Sequence, residues 1–209
     1  MLLAYITRIH LLLALGYLFT TCSGEARKVI GYRTVDAEEA TKINQKHRLF
    51  RDPAFDGDGS VAEENQIGNG FYLVPKPAGL RSTPDKKQWY CVIKAEEERL
   101  DEVSKVWIPQ TYNSRSFWGD RDSGVLWGGG EKTIARYVEG FKVDPDKTLR
   151  FTYIQGREPQ LQMLIPTKMA NDDLLDFFAE CFETVVELPA NGKKSVDFRQ
   201  WDVKGDPGV

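Results

Sequence analysis

The chain has 209 residues, of which 28% are charged and 41% are hydrophobic, a composition typical of one globular domain and not of a disordered or collagen-like chain. Its formal net charge of −3 gives no electrostatic support for a protein that coats nucleic acid or an anionic membrane. Only two histidines are present, His10 and His47, which excludes a metal site built from several histidines.

Residues 1–24 follow the plan of a secretory signal peptide, with a weakly basic start at Arg8, an apolar run from Leu11 to Phe19 and small residues after it. A membrane anchor is the alternative, but Arg8 and His10 interrupt the stretch and leave an apolar run too short to span a bilayer. We therefore expect a secreted, extracellular protein that leaves the membrane once the signal is removed. Any catalytic histidine would then have to be His47.

Export would leave two cysteines, Cys91 and Cys181. In an oxidising compartment such a pair can form one disulfide that closes a long loop. Two buried free thiols are the alternative, because spacing along the chain says nothing about the distance between the side chains. Both alternatives stay open on the sequence alone.

The first elements of the mature chain are a strand and a helix. Val29–Val35 is short and β-branched, which predicts a strand. Asp36 can cap a following helix, and Glu39 stands three residues later, as in a capping box. The helix is predicted to end near Phe50 and to carry His47 on its apolar face, where packing is favoured over catalysis.

Later strands are predicted where short β-branched or aromatic runs are bounded by turn residues. They are Gly70–Val74, Trp89–Ala95, Leu149–Ile154, Leu161–Ile165, Val185–Leu188 and Val196–Trp201. The remaining predicted elements are helices at Glu96–Val106, at Glu131–Glu139 and from Asp172 to about Glu183, and an aromatic-rich loop over residues 107–127. Because this order lacks a steady strand–helix–strand rhythm, it predicts an α+β fold.

Three motifs that could bind a ligand are weak. The run Asp56–Ser60 resembles a calcium loop, but Val61 and Ile67 stand where an EF-hand needs glycine and glutamate. Gly128–Gly130 precedes a helix without the other residues of a phosphate-binding loop, so a turn that lets a ring pack is favoured. The aromatic residues of 107–127 predict core packing under a loop, which we favour, or a platform for carbohydrate binding or base stacking.

Three further segments belong together by their order and spacing. They are Gly31-Tyr32-Arg33-Thr34, Gln66-Ile67-Gly68-Asn69-Gly70-Phe71-Tyr72-Leu73 and Gln160-Leu161-Gln162-Met163-Leu164-Ile165-Pro166. Over residues 28–166 the chain thereby resembles the ADP-ribosyltransferase superfamily, which includes bacterial exotoxins and poly-ADP-ribose polymerases. The resemblance implies that residues 25–209 form a single ADP-ribosyltransferase-like domain, with two small, packed antiparallel or mixed sheets flanked by helices. It also implies a secreted mono-ADP-ribosyltransferase-like toxin or effector, for example a fungal one.

The resemblance implies that NAD+ is the substrate and assigns four residues to its binding. Arg33, on a rigid strand, would hold ribose or phosphate oxygens through its guanidinium group. Gly68 and Gly70 would let the backbone approach the nicotinamide amide. Tyr72 would stack against the nicotinamide ring.

The sequence departs from the family at the catalytic glutamate. Aligning the last segment places Gln162 at that position and Gln160 at the first position of the family's Glu-x-Glu pair. A carboxamide cannot supply the negative charge that stabilises an oxocarbenium-like transition state. Glu158 shares strand parity with Gln162 and could partly take over that charge, although Gly156 and Pro159 place it in the preceding loop.

Two functions follow from the resemblance. The first is an enzyme that transfers ADP-ribose from NAD+ to a protein acceptor or host target, or that hydrolyses NAD+. The second is a catalytically inactive protein of the same fold that acts as a secreted binding or effector protein. In both cases we expect a monomer that needs no metal and binds no nucleic acid. A secreted carbohydrate-binding or inhibitor domain that uses the aromatic loop is a third possibility.

Overall fold

A computed structural model describes residues 26–56, 65–79, 87–113 and 123–208. The predicted signal peptide, most of the Asp56–Ser60 run and the centre of the aromatic-rich loop lie outside these residues. Within them, no helix combines the length and the apolar character needed to cross a lipid bilayer.

The described residues form short strands and helices in mixed order. The strands are β1 (Arg27–Val35), β2 (Gly70–Leu73), β3 (Trp89–Glu96), β4 (Ser104–Trp107), β5 (Thr111–Asn113), β6 (Ser123–Val125), β7 (Thr148–Tyr153), β8 (Leu161–Pro166) and β9 (Phe178–Phe182). The α-helices are α1 (Ala37–Lys46), α2 (Glu97–Glu102), α3 (Glu131–Glu139) and α4 (Thr167–Asn171). Short 3-10 helices lie at Pro53–Phe55, Pro145–Lys147, Val185–Glu187, Ala190–Lys193 and Phe198–Gln200.

The strands form two main sheets that meet at one point. One sheet has the order β1-β3-β9 and is antiparallel, and the other has the order β2-β8-β7-β4, in which only the β4–β7 pair is parallel. Tyr32 of β1 and Val74, just after β2, exchange two backbone hydrogen bonds of 2.9 Å and so join the sheets. The predicted α+β class, with small mixed sheets and few helices, is confirmed at this level.

The main hydrophobic core lies between the two sheets. Phe71 and Leu73 of β2 face this core together with Ile93 of β3. A second core lies on the opposite face of the four-stranded sheet, where Ile134 of α3 packs with Leu164 of β8. Successive residues of β2 and β8 therefore point alternately into one core and then the other.

A disulfide joins Cys91 and Cys181, which stand directly opposite each other on β3 and β9. Both residues are buried in the main core. Of the two alternatives left open by the sequence, the structure contains the disulfide and not two free thiols. Asn44 of α1 binds the backbone of Cys181 through two hydrogen bonds, of 2.9 Å and 2.7 Å. The helix therefore covers the outer edge of β9.

The predicted helix Glu96–Val106 is wrong in its second half. α2 ends at Glu102, and the chain continues as β4, which pairs with β7. Val106 and Trp107 are buried, so pairing with a distant strand outweighs the local helical pattern. The aromatic-rich loop likewise contains two short paired strands, β5 and β6.

The predicted helix from Asp172 to about Glu183 is also wrong. α4 ends at Asn171, and residues with left-handed backbone at Asp173 and Asp176 turn the chain into β9. Burial alternates along β9, which is the period of a strand and not of a helix.

Two further differences concern short local structure. α1 ends at Lys46 because His47 takes a left-handed φ of 50°. The His47 ring stacks on Phe178 with 5.2 Å between the ring centroids, which gives it a packing role. The late strands predicted at Val185–Leu188 and Val196–Trp201 are instead short 3-10 helices, in which hydrogen bonds between residues three apart replace strand pairing.

Candidate functional site

The side chain of Gln162 is buried in the four-stranded sheet. Gln162 stands opposite Thr152 of β7 and shares a sheet face with Leu164. The residue is only 5% exposed. Its Nε2 donates a hydrogen bond of 2.9 Å to Oε1 of Gln66, which is buried as well.

The backbone of the β7–β8 turn fixes the orientation of Gln66. Its Nε2 donates to the carbonyl of Tyr153 at 2.8 Å, and its Oε1 accepts from the N–H of Gln155 at 3.0 Å. Rotating the Gln66 carboxamide by half a turn would set its NH2 group against the N–H of Gln155 and its oxygen against the carbonyl of Tyr153. Oε1 of Gln66 must therefore face Gln162. Position 162 therefore requires a hydrogen-bond donor, which an ionised carboxylate is not.

Tyr72 closes the turn that precedes β2. It pairs with Leu164 and lies on the same sheet face as Gln162. Its hydroxyl accepts from the N–H of Ile67 at 3.0 Å and donates to the carbonyl of Gly68 at 2.8 Å. Burial raises the pKa of Tyr72 far above its ordinary value of 10.0, so the hydroxyl stays protonated even in alkaline solution.

Packing within the chain requires both predicted glycines. Gly68 has a φ of +105°, and a Cβ there would lie 2.3 Å from Nη1 of Arg150 and from Oε2 of Glu131. A Cβ on Gly70 would lie 2.2 Å from the carbonyl oxygen of Ile165. Each glycine is therefore explained by a close contact inside the protein, without a ligand.

An ion pair between a buried arginine and a partly exposed glutamate holds the same turn. Arg150 of β7 is fully buried, and its terminal nitrogens donate to the Glu131 carboxylate at 3.0 Å and 2.7 Å. They also donate to the carbonyls of Ile67 and Pro145, both at 3.2 Å. Glu131, the first residue of α3, accepts in addition from the N–H of Asn69 at 2.6 Å. Because Arg150 binds the carbonyl of Ile67 and Glu131 binds the N–H of Asn69, the ion pair fixes the turn to both β7 and α3.

We call these side chains the polar cluster: Gln66, Tyr72, Glu131, Arg150 and Gln162. The cluster surrounds the 66–69 turn and uses its backbone. From the carbonyl of Gln66 to the N–H of Asn69, each backbone polar group has a partner within the chain. The side-chain partners belong to the cluster, and the backbone partners are the N–H of Gly128 and the carbonyl of Asn65. Every N–H donor of that stretch is therefore engaged, and every carbonyl already accepts one hydrogen bond, before any nicotinamide amide could approach.

Arg33 lies apart from the polar cluster. Its Nε donates to Oε1 of Glu39 at 3.1 Å, and its guanidinium carbon lies 4.5 Å from the centre of the Phe71 ring. Phe71 and Tyr72 are consecutive in β2 and point to opposite faces. The structure thus brings Tyr72 and Gln162 to one face of the sheet and places Arg33 on the other, beside a separate cavity of about 360 Å³.

The remaining predicted residues lie at the β7–β8 turn. Glu158 is exposed and accepts from the N–H of Gly156 at 3.2 Å, so its carboxylate serves the turn and not the buried Gln162. Gln160 is exposed and lines a cleft of about 570 Å³. The same cleft is bordered by Val74 after β2 and by Arg199 near the C-terminus.

The sequence model of DUF5910, a family of unknown function, matches residues 65–206, more than half of the chain. The chain belongs to this family. The DUF5910 match includes the whole polar cluster and the residues that line the 570 Å³ cleft, and it excludes Arg33. No curated protein and no solved structure matches the chain.

Three residues of the DUF5910 polar cluster, Gln66, Glu131 and Arg150, are not predicted as site residues from the sequence, although Gln66 lies in one of the three segments that carry the resemblance. One signal was available, since Arg150 interrupts the otherwise apolar run of the predicted strand Leu149–Ile154 and a buried charge needs a partner. Its partner carries no such signal, because Glu131 reads equally well as an ordinary acidic residue in the first turn of a helix.

Metal binding has no support in the described part of this DUF5910 chain. Across residues 26–56, 65–79, 87–113 and 123–208, no three histidine, cysteine, aspartate or glutamate side chains come together in an arrangement that could hold a metal ion.

Proposed function

We propose that this protein is an exported binding protein, built on a fold like that of the ADP-ribosyltransferase superfamily and without transferase or NAD+ glycohydrolase activity. The observation that carries the proposal is the hydrogen bond from Gln162 to Gln66. Position 162 is the place that the resemblance assigns to the catalytic carboxylate. Here it is adapted to a carboxamide, since Gln66 presents an oxygen whose orientation the backbone fixes.

The charges around position 162 support the same function. Stabilising an oxocarbenium-like transition state requires a carboxylate that is available to the substrate. The Glu131 carboxylate is engaged by Arg150 and by the N–H of Asn69. Glu158 is exposed in its turn and accepts from Gly156.

The hydrogen bonds within the 66–69 turn and the position of Arg33 also support a protein that does not cleave NAD+. Binding nicotinamide at Gly68 would require breaking the contacts that Tyr72 and Arg150 make with that turn. Arg33 cannot join Tyr72 at one ligand without crossing β2, because the two side chains lie on opposite faces of it. The disulfide between Cys91 and Cys181 supports export to an oxidising compartment.

The direct test is NAD+ turnover by the mature chain, residues 25–209. Purified protein is incubated with NAD+, released nicotinamide is quantified by chromatography, and labelled NAD+ reports any transfer to protein. We expect nicotinamide at the level of the protein-free control and no labelled acceptor. Calorimetry with NAD+ in the same buffer separates binding without turnover from no binding.

The variant Gln162→Glu sharpens this test, with Gln160→Glu as a matched control at the exposed position. We expect neither variant to gain activity, because a carboxylate at position 162 meets the Gln66 oxygen instead of a substrate. NAD+ cleavage by the wild-type protein would overturn the proposal. Activity created by Gln162→Glu alone would leave the wild type inactive and would contradict the argument that Gln66 keeps a carboxylate at position 162 from the substrate.

A further inference from the structure

The 570 Å³ cleft joins segments that are distant in the sequence. One wall is the chain after β2, at Val74, Pro75 and Lys76, and the other is the C-terminal segment from Ser195 to Arg199. The backbone N–H of Val196 donates to the carbonyl of Pro75 at 2.9 Å and ties the two walls together. The cleft is therefore formed by fixed backbone, and its volume falls in the range of small-molecule sites.

The floor of the cleft is apolar. Val74, Ile154, Leu161 and Phe198 line it, and each is at most 9% exposed. These side chains belong to the hydrophobic cores, so they cannot move away to admit polar groups. The floor accordingly favours the flat, apolar part of a ligand.

The rim of the cleft carries two positively charged side chains, Lys76 and Arg199. Lys76 and Arg199 are exposed, and among the described residues neither side chain makes an ion pair or a hydrogen bond. Among the described lining residues Asp197 is the one acidic residue, and its carboxylate accepts from the N–H of Arg199 and from Nε2 of Gln200 while keeping its negative charge. Lys76 and Arg199 outnumber Asp197, so the described rim has a net positive charge, and the Gln160 carboxamide beside it is a neutral hydrogen-bonding group.

We propose that this cleft binds a small aromatic anion, with the ring on the apolar floor and the anionic group between Lys76 and Arg199. A phosphate or carboxylate suits the guanidinium fork of Arg199 and the ammonium group of Lys76. This inference rests on the binding half of the proposed function and names the class of ligand.

The test compares two probes that share a ring and differ in charge. 1-Naphthyl phosphate and neutral 1-naphthol are titrated into the mature chain by isothermal titration calorimetry at low ionic strength. We expect the phosphate to bind at least about tenfold more tightly than the alcohol, and the difference to narrow at high salt as the charges are screened.

Charge-removing variants locate the site. Lys76→Gln and Arg199→Gln are each expected to weaken 1-naphthyl phosphate binding about fivefold while leaving 1-naphthol binding unchanged. Lys132→Gln, an exposed lysine of α3 outside the cleft, is the matched control and is expected to have no effect. All three positions are exposed, so thermal unfolding is expected to match the wild type.

Several results would overturn the inference. They are equal affinity for the two probes, no binding of the phosphate at millimolar concentration, and a loss of affinity that Lys132→Gln shares with the two rim variants. NAD+ turnover would contradict the proposed function without changing the charge preference of the cleft, so the two failures are distinguishable.

Discussion

The carboxamide of Gln162 is held by Gln66, whose own orientation is set by the backbone of Tyr153 and Gln155. The variant Gln162→Glu removes the donor and sets an ionised carboxylate against Oε1 of Gln66. We expect the free energy of unfolding at neutral pH to fall by about 3 kcal/mol, measured by urea denaturation. The exposed control Gln160→Glu is expected to change it by less than about 0.5 kcal/mol.

The fall in the free energy of unfolding caused by Gln162→Glu is expected to depend on pH. Burial beside an oxygen raises the folded-state pKa of the new carboxyl above its value in the unfolded chain. The destabilisation is therefore full above the folded pKa and is relieved as the pH falls, because the protonated carboxyl is neutral and can donate to Gln66. An equal loss at neutral and acidic pH would contradict the arrangement of the two glutamines.

Tyr72 offers a second test at the residue scale. Its hydroxyl satisfies one N–H and one carbonyl of the 66–69 turn, so Tyr72→Phe is expected to cost about 1–2 kcal/mol at neutral pH. Tyr90→Phe is the control, because no hydrogen bond of its hydroxyl occurs among the described residues. Both variants are compared with the wild type by chemical denaturation.

The pKa of Tyr72 adds an alkaline signature to that comparison. Burial raises this pKa above the ordinary value of 10.0, so above pH 10 the unfolded chain ionises while the folded residue does not. The wild type then loses stability that Tyr72→Phe cannot lose, and the difference between them is expected to narrow as the pH rises past 10. A constant difference from pH 8 to pH 11 would contradict the burial of this hydroxyl.

At the scale of elements, α3 and β7 hold the 66–69 turn through Glu131 and Arg150. The Nε atom of Arg150 is buried without a hydrogen-bond partner among the described residues, so the guanidinium group depends on the Glu131 carboxylate. Glu131→Gln leaves the buried guanidinium without its charged partner, and because the Glu131 side chain is partly exposed the expected cost is about 2–3 kcal/mol, below that of a fully buried pair. Glu139→Gln, at the exposed end of the same helix, is the control and is expected to cost little.

Amide hydrogen exchange distinguishes a local loosening of the 66–69 turn in Glu131→Gln from a loss of stability of the whole fold. The N–H of Asn69 donates to Glu131, so its exchange is expected to accelerate in Glu131→Gln more than exchange of amides in β3. Uniform acceleration in both regions would mean that the ion pair supports the fold as a whole and not the turn.

The elements that the sequence predicted well are those specified by local pattern. The helix Glu131–Glu139 and the strand Leu161–Ile165 follow from periodicity and from flanking turn residues. β4 and β9 were missed because their stability comes from pairing with β7 and β3, which no local window reports. At the site, the sequence singled out Tyr72 and Gln162, but it could not show that their polar atoms are satisfied inside the chain.

At the scale of the whole molecule, the outer edges of the sheets are covered by other parts of the chain. Asn44 and the carbonyl of His47 bind the backbone of β9, and Lys204 exchanges backbone hydrogen bonds with Lys105 and Trp107 of β4. Covering an edge in this way blocks pairing with a second chain. Within the three-stranded sheet, the disulfide adds a covalent link between β3 and β9 to their backbone pairing.

The disulfide between Cys91 and Cys181 spans a sequence separation of 90 residues, so it restricts the unfolded chain strongly. By the chain-entropy estimate, replacing both cysteines in Cys91→Ala/Cys181→Ala is expected to lower the free energy of unfolding by about 4–5 kcal/mol, measured by urea denaturation. Because Cys91 is 1% exposed and Cys181 is 4% exposed, the wild-type bond is expected to resist a mild reductant until the protein unfolds. Thiol labelling of the native protein with and without urea measures that resistance. Rapid reduction without urea would show that the bond does not lie in the core. A double variant as stable as the wild type would show that the bond does not constrain the unfolded chain.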